Sequence, residues 1–177
     1  MITAILTILL LQVRFADIGL SRDAQHLLRA HAEAWFAKAE LEEQCPRGEA
    51  TRWLDGGAYK QVSPIAAVET HVLKGGANIT IIQSGCEYYL ASIRFVSPHK
   101  ISIADALREL RRLGAKPVFD LSKAERAIRR HPNLALQTEL PIPGDGTEFL
   151  QTQLIITRVG TTGDGHFVEF QLSKGPL

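Results

Sequence analysis

Apolar positions along the chain fall into three patterns. The first is a nearly continuous run: residues 2 to 11 are apolar apart from Thr3 and Thr7. The second has helical period, with Leu28, Ala32, Trp35 and Ala39 recurring between residues 22 and 44 and Leu27 and His31 beside them. Ser21 supplies an N-cap and Asp23 an acid in the first turn, and "CPRG" stops the segment at Cys45, so one long helix is expected there. The third begins at Thr51. Short β-type runs, "AYKQV", "AAVETHVLK", "ANITIIQ" and "CEYYLASIRFV", are separated by glycine-rich breaks and read as a meander.

Within that meander Ser84-Gly85 has the composition of a two-residue hairpin loop, which would set Ile81 opposite Tyr88 and Ile79 opposite Leu90. Two capping boxes follow. Ser102 with Asp105 opens a helix that carries Leu107, Leu110 and Leu113 on one side and stops at Gly114, and "SKAE" at residues 122 to 125 opens a shorter one closed by His131-Pro132. The tail returns to strands in "LALQTEL", "EFLQTQLIITRV" and "HFVEFQL", the last two joined through "GTTGDG". Strands and helices come in blocks. That order argues for an α+β fold, a mostly antiparallel sheet with one long N-terminal helix and two shorter helices packed on it, and against a doubly wound nucleotide-binding fold.

The opening run bears on compartment and domain boundaries. Ten residues fit the core of an export leader and fall short of the about 20 needed to span a bilayer, so residues 1–20 are expected to be a signal-peptide-like segment and residues 21–177 a single domain without a membrane span. No Lys or Arg precedes the run, and Arg14 stands where a small residue would precede a cut at Ala16. A buried first strand over residues 3 to 13 is the competing assignment. With a leader the chain would be periplasmic or secreted. Its two cysteines, Cys45 and Cys86, would then form a disulfide between the end of the long helix and the sheet, stabilising the fold by about 4 kcal/mol in the chain-entropy model.

Charge adds a local feature to a neutral whole. The chain carries 20 Lys plus Arg against 19 Asp plus Glu, a formal +1, which supplies no global field for nucleic acid or anionic lipid. Between Arg94 and Arg130, however, ten basic residues face four acids. Arg108, Arg111, Arg112, Arg126, Arg129 and Arg130 in this stretch are the candidate binding residues for an acidic partner, with Tyr88 and Tyr89 as aromatic candidates nearby. No aromatic platform is interleaved with these arginines, so the expected partner is another protein and not nucleic acid.

Signatures of catalysis, metal and cofactor chemistry are missing from the sequence. The six histidines are scattered, and no pair has the i, i+4 spacing of a helical metal site. The two "GDG" triplets at residues 144 to 146 and 163 to 165 lack the alternating acids of a calcium loop and the Lys-Ser/Thr of a phosphate loop, and read as turns. No G-x-S-x-G elbow occurs. The leading expectation is therefore an exported, non-enzymatic binding protein of inhibitor or immunity type, without catalytic residues, metal or cofactor. Two alternatives stand beside it: a small hydrolase-like enzyme pairing a histidine with a dispersed acid such as Glu33, Asp120 or Glu139, and an intracellular domain with Cys86 as a free thiol.

Overall fold

A computed structural model describes residues 52–63, 66–84, 89–147 and 150–176. Among these residues the chain is mostly one antiparallel sheet of seven strands: β1 (Ala58–Ser63), β2 (Ala66–Val72), β3 (Asn78–Ser84), β4 (Tyr89–Ser97), β5 (Glu139–Thr147), β6 (Leu150–Thr162) and β7 (Gly165–Pro176). Their order across the sheet is β1-β2-β3-β4-β7-β6-β5. Two meanders thus meet at the β4–β7 pair, and β1 and β5 form the edges.

Two ten-residue helices, α1 (Ile103–Arg112) and α2 (Leu121–Arg130), link β4 to the far edge at β5. The expected fold class is corrected here. The described molecule is sheet-dominated with only two short helices, and the long helix expected over residues 22 to 44 is not among its elements, lying outside the described residues together with the leader-like segment.

Local chemistry explains both helix starts. Ser102 caps α1 by accepting from the Asp105 N–H at 3.1 Å, and its hydroxyl donates to Asp105 Oδ2 at 2.6 Å. At α2 the cap sits two residues earlier than the second capping box implies. Asp120 Oδ1 accepts from the N–H groups of Ser122 and Lys123 at 2.9 and 3.0 Å and from the Ser122 hydroxyl at 2.6 Å. Gly114 ends the α1 turn at φ +74°, donating to the Arg111 carbonyl.

The helices lay Leu107, Leu110, Leu121, Ala124 and Ile128 on the sheet face formed by Ile79, Ile81, Ala91, Ile93, Phe95, Leu154, Phe170 and Leu172. The other face is buried as well along its centre: Val68, Thr80, Ile82, Ser92, Val96 and Glu169 are each 3% exposed or less. Its charged pair, Arg94 and Glu169, is hydrogen-bonded across β4 and β7, with the Arg94 guanidinium 4.4 Å from the centre of the Phe167 ring.

The β3–β4 register also corrects an expectation. Ile81 lies opposite Ile93 and Ile79 opposite Phe95, five residues further along β4 than a two-residue loop would place their partners. A shift by an odd number exchanges the faces of a strand, so Tyr89, Ala91, Ile93 and Phe95 join the helix-covered core and Leu90 turns to the other side.

Candidate basic groove between the second helix and the edge strand

The chemistry of the helical layer is set by one carboxylate. Glu125 on α2 is 8% exposed, and its two oxygens accept from Arg108 Nε at 3.2 Å, Arg111 Nη1 at 2.7 Å and Arg129 Nε at 3.1 Å. Asp105 adds contacts to Arg108 at 3.2 Å and Arg129 at 3.8 Å. Arg112 is held by Glu109, whose carboxyl that hydrogen bond keeps below the usual range. Four of the six candidate arginines are thereby engaged within the two helices. Three carboxylates, Glu125, Asp105 and Glu109, thus offset most of the positive charge of these four arginines where it arises.

The remaining two are placed differently. Arg126 and Arg130 line a groove between α2 and β5 with a volume of about 270 Å³, together with Lys123, Ala127, His131, Leu140, Pro141 and Pro143. Lys123, Arg126, Ala127 and Arg130 follow i, i+3, i+4, i+7 spacing, so they form one stripe of the helix. Among the described residues neither Arg126 nor Arg130 forms an ion pair; Arg126 donates only to the Ser122 hydroxyl, at 3.3 Å. Lys123 is more constrained, donating to the Gly144 carbonyl and lying 3.7 Å from Asp120.

An interruption in β5 builds the opposite wall. Pairing with β6 runs to Pro141↔Gln153 and resumes only at Gly146↔Gln151, so the intervening residues bulge away from the ladder. The bulge docks on the start of α2 through Asp145, whose Oδ2 accepts from the Asp120 N–H at 2.8 Å while Lys174 lies 3.6 Å from Oδ1. Gly144 enters at φ +71°. The first "GDG" triplet, expected to be a turn, lies instead within the irregular part of β5, where Asp145 clamps helix to strand, and the second supplies Gly163-Asp164 as the turn at the tip of the β6–β7 hairpin, where Thr162 pairs with Gly165.

Tyr89 turns inward and stands away from this groove. It is 6% exposed, its hydroxyl donates to Gln83 Oε1 at 2.5 Å, and it accepts from Trp53 Nε1 at 3.1 Å. Phe119 meets both rings edge-on, at 5.3 Å from Tyr89 and 5.9 Å from Trp53. Gln83 Nε2 then donates to Glu69 Oε1 at 2.7 Å, and the same carboxylate accepts from the N–H groups of Trp53 and Leu54 at 2.7 and 3.0 Å. Burial pushes the Glu69 carboxyl above its ordinary range, against the lowering pull of those donors and of Arg52. Every member of this network serves to fasten the chain at Trp53 to the sheet.

Cys45, Cys86, Tyr88 and Glu33 lie outside the described residues. Of the other acids considered for catalysis, Asp120 is the α2 cap, its carboxyl held below the usual range chiefly by the Ser122 hydroxyl, and Glu139 is exposed at the start of β5. Among the described residues no histidine ring forms an ion pair with a carboxylate, no cluster of three metal-ligating side chains occurs, and no helix is long and apolar enough to cross a membrane. Lys123, His131 and the two prolines are groove residues that the arginine count does not single out. The readable signal was the Lys123, Arg126, Arg130 stripe running into His131. Comparison of the chain with protein-family models, with curated proteins and with solved structures finds no match in any of the three.

Proposed function

We propose that this chain is a non-enzymatic recognition module that binds another protein through the groove between α2 and β5. The observation that carries the reading is the unequal engagement of the arginines: Glu125 and Glu109 hold four of them, while Arg126 and Arg130 line a cavity with no ion pair among the described residues. Uncompensated cations beside an apolar floor of Ala127 and Leu140 favour a partner that brings its own carboxylates. The leader-like run at residues 2 to 11 supports placement of the module in the periplasm or outside the cell.

Paired capture experiments in native-host extract test the reading, with the full chain and its Arg126→Glu/Arg130→Glu variant immobilised side by side. The expected result is one partner, identified by mass spectrometry, that is retained by the parent chain, lost from the variant and released by moderate salt. A partner held equally by both chains would remove the groove from the account. The intact mass of the chain purified from its host without reductant checks the export element: a shortened N-terminus and two missing hydrogens support it, and a full-length reduced chain opposes it.

A further inference from the structure

We infer that the groove takes an extended acidic segment of the partner, with carboxylates at alternate positions. This deepens the protein-recognition reading and rests on it. Arg126 and Arg130 are one turn apart on α2, about 6 Å along the axis at the ordinary rise of a helix. Alternate residues of an extended chain project from the same side about 6.6 Å apart, whereas adjacent residues project to opposite sides. An acid-x-acid segment therefore meets both guanidinium groups at once, and an acid-acid pair meets only one of them.

The opposite wall rules out a competing mode. Pro141 and Pro143 face the groove from an edge strand, and proline has no N–H to offer. A peptide entering here cannot extend the sheet by regular ladder bonds at these positions, so side-chain charge must supply the selectivity. Ala127 and Leu140 give the segment an apolar floor, and Lys123, tethered to Gly144 and near Asp120, is a secondary contact at the N-terminal end of the stripe.

Two capped synthetic peptides of identical composition, one carrying Asp-Ala-Asp and the other Asp-Asp-Ala, are titrated into the full chain by calorimetry. The alternating peptide is expected to bind roughly two- to fivefold more tightly, as one extra exposed charge pair allows. The Arg126→Gln/Arg130→Gln variant, altered only at exposed positions, is expected to bind both peptides equally and weakly. Equal binding of the two peptides by the parent chain overturns the spacing inference while leaving the groove as a protein-binding surface. A single-stranded oligonucleotide that displaces the alternating peptide at equal charge concentration also overturns it, because phosphate density and not carboxylate spacing would then decide occupancy. Partner capture that survives Arg126→Glu/Arg130→Glu is a separate result and counts against the function itself.

Discussion

Arg111 on α1 donates to Glu125 on α2 at 2.7 Å, and this contact both joins the two helices and withdraws a cation from the surface. Replacing Glu125 with Gln removes the charge shared by Arg108, Arg111 and Arg129. Because those arginines are about half exposed and regain hydration, the expected cost is about 1–2 kcal/mol and not the larger penalty of a fully buried pair. Urea denaturation checks it as a lower midpoint at unchanged slope. An unchanged midpoint would mean that the three contacts add nothing to the hydration of the separate groups.

The buried Glu69 makes stability depend on pH with a definite sign. Its carboxyl is raised from the ordinary 4.5 by burial, so the folded chain holds this proton more tightly than the unfolded chain. The corresponding stabilisation is fully present below the unfolded value and is lost as pH rises through the raised folded value. Glu109 and Asp120, both lowered, act in the opposite sense and lose their contribution as pH falls. Comparison with Glu69→Gln isolates the first effect: the stability advantage of the parent chain over the variant should grow as pH is lowered from 7 towards 4.5. The variant should also be less stable throughout, since a carboxamide brings an N–H₂ to a site where Trp53, Leu54 and Gln83 all donate. A pH-independent difference between the two chains would contradict the assignment.

Gly165 sits where the β6–β7 hairpin crosses the end of β4. Its φ is +128°, and a Cβ there would lie 2.3 Å from the Ser97 carbonyl oxygen. Gly165→Ala must displace that backbone, with an expected loss of about 2–4 kcal/mol. Gly163→Ala, two residues away with open space around its Cβ position, should stay within about 0.5 kcal/mol of the parent. Thermal unfolding of the two variants distinguishes them, and similar effects at both positions would count against the hairpin geometry.

Features that depend on a few neighbouring residues were legible in the sequence. The Ser102–Asp105 cap, the Leu107, Leu110 face and the Gly114 stop all rest on contacts within a turn of helix. Register was less legible because β3 is buried along both faces: "ITIIQS" has no exposed residue to mark an outside, so neither alternation nor the Ser84-Gly85 pair could fix which residues of β4 it meets. The basic character of residues 94 to 130 could be counted, but its division could not. Arg108 meets Glu125 across 17 residues and two helices, a pairing with no local signature. The edge role of β5 has a sequence trace in Pro141 and Pro143, which exclude a central strand; its position beside α2 follows only from the sheet order.

The helical arginines are divided into a set engaged by Glu125 and Glu109 and a set, Arg126 and Arg130, that lines the groove. Arginine Nε–H resonances of the full chain, followed by NMR during titration with a flexible oligo-aspartate peptide, test that division directly. Arg126 and Arg130 should shift progressively, while Arg108 and Arg129, whose Nε–H groups already donate to Glu125, should hold their positions. Equal movement of all four signals would contradict the claim and return the basic stretch to an undivided, solvated helix surface.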